Sequence, residues 1–385
     1  MSDSSKAGYA TNVRHYAHVL DALIDDYDDV RFIGPAELAP ATLDRLRPWL
    51  PPRVWKTLNR RRAGAVPDGV QRLRSSVGSG APALTRLFTG RTMSPDAIRW
   101  SHSIQAKAVS SRFDGAEFVQ AVEGLAHVAM RRESARSVVL ERRNLHHAAF
   151  EADIDVHAGF PFTRKLDPIR DYLEEEYEGA DMIVVYSEVA KRSFVERGLA
   201  AARIWVNPLP VRTEPVTLGA TARDPHQLLY VGRLDAYKGV DVAVAAVQQL
   251  PEPYRLIVAG PGGIAEQQWI ARQPRVEYRG VLSAPELQML YSTAGLLLSP
   301  SIESFGLAVL EASQHGLAVM TRETTGISDY LSPEVLTVVP TRAPEIWADA
   351  IESHKREPVI PQLAGALSYH AAVSNQRALN RKFRN

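Results

Sequence analysis

Short apolar runs alternate with amphipathic stretches through the second half of the chain. The runs 227–231, 254–259, 276–279 and 295–298 have the length and composition of buried strands, and a helical pattern follows each of them. Strands that alternate with helices predict a parallel, doubly wound sheet. Because the crossovers of such a sheet are right-handed, we expect the loops that leave its strands to meet at one edge.

The first half shows the same alternation with less regularity. Strand patterns lie at 30–34, 117–122, 137–142 and 181–187, whereas no strand-like run precedes Gly8. The whole chain therefore belongs to the α/β class, and its two halves each predict a parallel sheet.

The segment 208–225 separates the two halves. It is rich in Pro, Thr, Gly and Ala and has no periodic core pattern, which is typical of a linker. A length of 385 residues also favours two domains over one. We therefore predict a first domain at 1–210, a second domain at 211–365 and a terminal helix at 366–385. A cleft between two domains is a common place for a ligand.

The composition narrows the function classes. The absence of cysteine excludes disulfides, thiolate metal sites and a cysteine nucleophile. The formal net charge of +1 gives no global field that favours a nucleic-acid partner. The amino terminus is polar, and no stretch approaches the ~20 apolar residues of a membrane span. We expect a cytoplasmic protein.

Residues 45–107 are basic and poorly patterned, and we interpret them as an insertion in the first domain. Trp49 and Trp55 lie among arginines in the part from Arg45 to Arg74. Such a segment can contact a membrane surface, an anionic acceptor or RNA. The neutral chain favours a solvated insertion on the acceptor side, with peripheral membrane contact as the alternative, and we expect no nucleic-acid partner.

The chemistry concentrates after the run 295–298, where Ser299 and Pro300 break the strand pattern. Ser304 is in the right place to cap a helix at 307–314. A strand, a tight loop and a helix amino terminus together form an anion site.

Two carboxylates bracket this predicted anion site. Glu303 lies in the loop, and Glu311 lies about two turns into the helix. A carboxylate accepts hydrogen bonds from hydroxyl groups and repels phosphate. The pattern therefore indicates a ligand with a sugar at one end, a ribose at the other and phosphates between. The alternative is a surface loop followed by an ordinary amphipathic helix.

The Glu-x7-Glu segment with its Ser-Phe-Gly resembles the signature of the retaining glycosyltransferases of group 1, also called family four. The resemblance implies the GT-B fold, in which two Rossmann-like domains face each other across a cleft. It implies that Glu303 contacts the donor sugar and Glu311 the nucleotide ribose. It also implies that the backbone from Ser304 through Phe305 and Gly306 to Leu307 holds the diphosphate.

Other parts of the donor site follow from the same resemblance. The segment Val-Gly-Arg-Leu-x-x-x-Lys-Gly is similar to the family's diphosphate loop and implies that Arg233 and Lys238 bind the leaving group. An arginine fork and a lysine point charge suit a diphosphate. The base is expected against the backbone at Val281, and Gly8 fits the family's glycine loop near the donor phosphate. No Asp-x-Asp motif is placed to bind a metal, and the resemblance implies metal-independent transfer.

A third segment is similar to the Glu-Arg-Gly-Ser-x-His run of some family members. It begins at Glu141, has Arg143 in place of the glycine, and ends at His146. The resemblance makes His146, or its neighbour His147, a candidate to bond the transferring sugar or the acceptor. The alternative is a pair of structural or solvent-facing histidines.

The resemblance therefore implies transfer of a hexose-type sugar from a nucleotide diphosphate sugar, most often of UDP or GDP, to an acceptor hydroxyl. The acceptor is a glycan, a lipid-linked molecule or a small natural product, and no other cofactor is implied. A non-catalytic nucleotide-sugar-binding protein, a phosphorylase and an epimerase are alternatives on the same scaffold.

Overall fold

The computed structural model describes most of the chain. The described residues are 5–11, 16–34, 44–49, 55, 66–73, 94–131, 135–152, 154–161, 169–211, 223–354, 361 and 365–384.

The first sheet has seven parallel strands in the order β3-β2-β1-β4-β5-β6-β7. The strands are β1 (Lys6–Ala10), β2 (Asp29–Ile33), β3 (Val70–Leu73), β4 (Ala116–Val122), β5 (Ala135–Glu141), β6 (Met182–Val185) and β7 (Ile204–Val206). Among the described residues of this half, the helices are α1 (Ala17–Asp26), α2 (Pro95–Arg112), α3 (His127–Arg131), α4 (His147–Ala152), α5 (Arg170–Gly179) and α6 (Glu188–Val195).

Strand β1 corrects one of our expectations, since we predicted no strand before or around Gly8. It is a central strand, and Gly8 pairs with Arg31 of β2 on one side and Val119 of β4 on the other. A Cβ atom at Gly8 would lie 2.5 Å from the ring of Phe113, so the glycine makes room for that side chain. Gly8 is therefore a packing residue inside the sheet and does not lie in a phosphate-binding loop.

The predicted insertion at 45–107 is also corrected in part. Its residues 70–73 form the edge strand β3, and α2 occupies its end. Ser94 caps α2 by accepting a hydrogen bond from the Ala97 amide at 3.3 Å, and Pro95 follows at the first helical position. Much of the remaining basic stretch, including 50–54, 56–65 and 74–93, lies outside the described residues.

The second sheet has six parallel strands in the order β10-β9-β8-β11-β12-β13. The strands are β8 (Asp224–Val231), β9 (Arg255–Ala259), β10 (Val276–Gly280), β11 (Ala294–Ser299), β12 (Ala318–Arg322) and β13 (Leu336–Val339). The helices are α7 (Val240–Gln249), α8 (Ile264–Ile270), α9 (Ala284–Thr293), α10 (Leu307–Gln314) and α11 (Pro344–Glu352). The predicted alternation and the predicted parallel sheet are both confirmed.

The core of this half explains why the elements form. Strand β11 follows the apolar run that the sequence showed, and its Leu296, Leu297 and Leu298 are each at most 2% exposed. Side chains on alternate positions of that strand join two different clusters on opposite faces of the sheet. Burial on both faces is what a parallel strand between two helical layers requires.

Two segments cross between the halves. Helix α12 (Tyr369–Arg381) packs against α1, where the Asn380 amide donates to the Asp26 carboxylate at 2.9 Å. Residues 154–161 come from the first half, yet Phe160 packs in the core of the second sheet. The linker residues 212–222 lie outside the described residues. None of the described helices combines the length and the apolar character needed to cross a membrane.

Candidate active site

A cavity of about 240 Å³ lies where the carboxyl ends of strands from the two sheets face each other. Its first wall comes from the first half of the chain, and its second wall comes from the loops after β8 and β11. The first wall contains Arg143, Asn144, Tyr186 and Leu209, and the second contains Gly232, Lys238, Ser301, Glu303 and residues 305–308. This is the position where open α/β sheets bind ligands.

The loop after β8 brings Lys238 to the cavity. Asp235 accepts a hydrogen bond from the Tyr237 amide at 2.9 Å and so starts a short 3-10 turn, Ala236–Lys238. Gly239 ends the turn with a φ of 74°. A Cβ atom there would lie 2.3 Å from the Pro300 carbonyl oxygen, so only glycine fits where the two loops cross.

Lys238 and Glu303 form an ion pair inside the cavity. Their side chains are 24% and 20% exposed, so water reaches both groups only in part. The Ser301 hydroxyl donates to the other carboxylate oxygen of Glu303 at 3.0 Å, and Ser301 is buried. The structure therefore brings together two of the predicted donor-binding side chains and fixes the carboxylate from a second direction.

Helix α10 begins at Leu307 and ends at Gln314, as predicted. The predicted cap is wrong, because Gly306 precedes the helix with a φ of 108° and Ser304 makes no cap bond. The Ser304 hydroxyl instead donates to the backbone carbonyl of Arg143 in the opposite wall. The first amides of any helix lack partners within it, and Leu307 and Ala308, the first two residues of α10, line the cavity.

Arg233 and Val281, two other predicted donor-binding residues, make no contact with the Lys238–Glu303 pair. The Arg233 side chain is 63% exposed and lies 3.5 Å from Asp235, while its carbonyl accepts a hydrogen bond from Tyr230 at 2.7 Å. Val281 is 50% exposed and follows β10 directly. Their contacts with phosphate and base therefore stay predictions.

Glu311 also makes no contact with Lys238. Its carboxylate accepts a hydrogen bond from the Tyr291 hydroxyl at 3.3 Å. Desolvation raises the pKa of Glu311, and the Tyr291 hydrogen bond opposes that shift. Its place on α10, one turn beyond the cavity lining, leaves the predicted ribose contact as a prediction.

His146 is not among the cavity-lining residues. It is 6% exposed, and its ring lies 4.8 Å from the ring of Tyr177 and 5.2 Å from that of Phe194. Burial, and next the neighbouring His147, lower its pKa to about 3. His146 therefore packs against Tyr177 and Phe194 outside the cavity lining, and its expected contact with the transferring sugar or the acceptor stays a prediction.

The same histidines raise the question of a metal. Ligand-type atoms of His146, His147 and Glu174 lie within 4.8 Å of one another. However, the Nδ1 atom of His146 accepts a hydrogen bond from the Ala148 amide at 3.2 Å. The neutral ring then carries its proton on Nε2, so it offers no second lone pair to a metal. The Nε2 atom of His147 lies 3.0 Å from a carboxylate oxygen of Glu174.

The sequence reasoning missed most of the first wall. The Arg143 guanidinium lies 2.7 Å from the buried Glu123 carboxylate, which also accepts from the Arg143 amide at 2.9 Å. The Tyr186 hydroxyl donates to the buried Glu141 carboxylate at 2.7 Å. The available signal was position, since Arg143 directly follows the predicted strand 137–142 and Tyr186 lies at the carboxyl end of the predicted strand 181–187.

Residues 225–354 match the family model described as glycosyl transferases group 1. The matched region contains every residue of the second cavity wall. This stretch of the chain is similar in sequence to the group 1 glycosyltransferases. This finding confirms the family resemblance carried by the Glu-x7-Glu segment.

Curated relatives agree with this placement. The chain is 33% identical over 161 residues to the D-inositol 3-phosphate glycosyltransferase of Xylanimonas cellulosilytica, covering 36% of this chain and 39% of that protein. It is 34% identical over 143 residues to the glycogen synthase of Mycobacterium tuberculosis, covering 34% of each. The matched segments thus span about a third of the length of these relatives.

Solved structures extend the likeness to the whole chain. The galactosyltransferase WaaB in its apo form gives a TM-score of 0.60 at 16% identity, covering 98% of this chain and 99% of that one. Anabaena HepE in complex with UDP-glucose gives 0.57 at 14% identity, covering 98% of both chains. At these identities the likeness concerns the fold, and the predicted GT-B architecture is confirmed.

Proposed function

We propose that this protein is a retaining glycosyltransferase that moves a hexose-type sugar from a nucleotide diphosphate sugar to an acceptor hydroxyl. The observation that carries the proposal is the Lys238–Glu303 ion pair beside the amino terminus of α10. A cation and free helix amides suit a diphosphate, and a carboxylate suits sugar hydroxyls. The match of residues 225–354 to the group 1 glycosyl transferase family supports the same assignment.

The donor would lie along the second wall. Its diphosphate would accept hydrogen bonds from the amides of Leu307 and Ala308 and from Lys238, with Arg233 closing over it from the loop after β8. Lys238 must exchange Glu303 for phosphate as the donor enters. The freed Glu303 carboxylate then accepts hydrogen bonds from the sugar, and Glu311 accepts them from the ribose. UDP and GDP are the first nucleotides to test, and solved HepE complexes contain UDP.

The reaction breaks the bond between the anomeric carbon and the β-phosphate oxygen. The nucleoside diphosphate leaves with the electron pair, and the acceptor oxygen bonds to the same face of the anomeric carbon. The acceptor proton passes to the departing phosphate oxygen, which balances the step. Lys238 and Arg233 stabilise the charge that develops on the leaving group, so we propose that the transfer is metal-independent.

The acceptor would approach from the first wall, where Arg143, Asn144 and Tyr186 line the cavity. Asn144 and the guanidinium N–H groups of Arg143 that do not bond Glu123 offer donors to a hydroxyl group, and the Tyr186 oxygen, whose proton goes to Glu141, can accept. A glycan, a lipid-linked molecule or a small natural product is the acceptor class that we propose.

The test combines donor screening with product analysis. UDP- and GDP-hexoses are incubated with acceptor pools, and released nucleotide and the anomeric configuration of the product are measured. We expect nucleotide to be released only when an acceptor is present, and we expect the product to keep the anomeric configuration of the donor sugar. Sugar phosphate formed from inorganic phosphate would instead identify a phosphorylase, and a changed sugar without nucleotide release an epimerase. Binding that leaves every donor intact would identify a non-catalytic nucleotide-sugar-binding protein.

A further inference from the structure

Arg342 is a buried cation outside the cavity that none of the sequence motifs includes. It lies between β13 and α11, and its side chain is 4% exposed. Its Nη2 atom lies 3.0 and 2.9 Å from the two carboxylate oxygens of Asp241 in the first turn of α7. A buried ion pair of this kind is weak support for stability, because apolar side chains of similar size would serve that purpose as well.

The remaining donors of Arg342 hold two backbone carbonyls from distant parts of the chain. Its Nη1 atom donates to the Ala236 oxygen at 2.9 Å, and its Nε atom donates to the Asp155 oxygen at 3.0 Å. The planar guanidinium therefore joins Asp241, Ala236 and Asp155 at fixed relative positions.

The contact at Ala236 reaches the donor site. Ala236 is the first residue of the 3-10 turn that ends at Lys238. The next carbonyl of that turn, at Tyr237, accepts a hydrogen bond from the Ile302 amide at 2.8 Å. Arg342 and the Glu303 loop thus hold the turn from two sides, and the turn in between presents the Lys238 ammonium to the cavity.

The contact at Asp155 reaches the first half of the chain. The segment 154–161 is anchored on the second domain by three further contacts. The His157 amide donates to Asp241 at 3.0 Å, the Trp269 indole donates to the Ala158 carbonyl at 3.0 Å, and the rings of Phe160 and Trp269 pack edge to face. This segment therefore completes the shell around the Arg342–Asp241 pair.

We propose that Arg342 is a positioning residue for Lys238, and that residues 155–157 of the first half complete its hydrogen-bonding shell. The inference rests on the proposed function, since it assumes that Lys238 binds the donor diphosphate. Loss of the guanidinium lets the turn Ala236–Lys238 shift. The Lys238 ammonium then reaches the diphosphate in fewer of the conformations that the turn adopts.

Two variants distinguish the effect of the hydrogen-bonding geometry of the Arg342 guanidinium from the effect of its positive charge. Arg342→Lys keeps a cation beside Asp241 but cannot reach the carbonyls of Ala236 and Asp155 together. The double variant Asp241→Asn with Arg342→Gln removes both charges, so no unpaired ion is left buried. Arg255→Lys is the matched control, because Arg255 pairs with Asp224 at 2.7 Å on an exposed edge of the same domain. Circular dichroism and thermal unfolding first establish that each full-length variant is folded.

The readout is the dissociation constant of UDP or GDP, whichever binds the unmodified chain more tightly, measured by titration calorimetry. We expect Arg342→Lys and the double variant each to raise it about tenfold, and Arg255→Lys to change it less than about twofold. Two residues that act through one contact are not additive. We therefore expect Arg342→Lys to add less than about twofold in a chain that already carries Lys238→Ala.

Three outcomes would overturn the inference. An unchanged constant for Arg342→Lys shows that the fork does not position the lysine. An equal loss with and without Lys238→Ala shows that Arg342 acts through general stability instead. If Lys238→Ala itself leaves the constant unchanged, the proposed function fails at this site and the inference fails with it, whereas the first two outcomes leave the proposed function intact.

Discussion

The Lys238–Glu303 ion pair in the cavity makes a specific prediction about Glu303→Gln. Because Lys238 is bonded to Glu303, a diphosphate that binds Lys238 must compete with that carboxylate. The substitution keeps the size of the side chain, removes its charge and replaces one acceptor oxygen by an amide NH2 donor. We therefore expect the variant to bind UDP or GDP more tightly than the unmodified protein.

The magnitude follows from the exposure of the two side chains, which are 24% and 20% exposed. A partly solvated pair contributes at most about 1 kcal/mol, which corresponds to roughly fivefold tighter nucleotide binding. The nucleotide sugar should behave in the opposite way. Its binding gains the same ~1 kcal/mol at the diphosphate but loses a charge-assisted hydrogen bond of about 1.5–3 kcal/mol between the sugar and Glu303. The nucleotide sugar should therefore bind the variant more weakly by about 0.5–2 kcal/mol.

Titration calorimetry of UDP or GDP and of the matching nucleotide hexose measures both changes on one variant. Glu277→Gln is the control, because Glu277 pairs with Arg279 on the surface of the same domain. Higher salt should shrink the gain in nucleotide affinity, since salt screens the competing pair. Equal weakening of nucleotide and nucleotide sugar by Glu303→Gln would refute the reasoning.

Three further predictions concern residues around the site. Replacing Arg233 or Glu311 by alanine should weaken nucleotide binding by about 1.5–3 kcal/mol without unfolding the protein; unchanged affinity in both, by calorimetry, would remove these residues from the donor site. Burial lowers the pKa of His146 from 6.5 to about 3, so between these values the unfolded chain binds more protons and stability falls as pH falls. Denaturant titrations of His146→Gln should therefore show a smaller loss of unfolding free energy between pH 6.5 and about pH 3 than those of the unmodified protein, with nucleotide affinity unchanged. The same pH dependence of stability in both proteins would contradict a buried, neutral imidazole. Gly239→Ala should cost at least about 1–2 kcal/mol of stability and also weaken nucleotide binding, because its φ of 74° and the Pro300 carbonyl exclude a Cβ; unfolding that matches the parent chain would refute this.

The sequence predicted the second domain well for a physical reason. Strands β9 and β11 are buried on both faces and are nearly continuous apolar runs, as at Leu296, Leu297 and Leu298, so their pattern is local. Helix α10 has the bounds that the sequence predicted, and Lys238 meets Glu303 because both follow strands of one parallel sheet.

The first domain was harder to predict because its features depend on tertiary packing. Strand β1 has the sequence Lys-Ala-Gly-Tyr-Ala, in which Tyr9 alone is a type enriched in strands, and pairing with β2 and β4 defines it. His146 looked like a site residue by its place after a strand, yet Tyr177 and Phe194 enclose its ring. The Ser304 hydroxyl was expected to cap a helix but crosses the cleft to Arg143, a contact that no local pattern records.

We propose that one donor molecule lies along the second cavity wall. The decisive experiment is a structure of the complex with UDP or GDP. We expect the diphosphate to lie within about 3 Å of the Lys238 ammonium and of the first amides of α10, with the ribose at Glu311. A nucleotide bound elsewhere, with the Lys238–Glu303 pair still closed, would contradict the account.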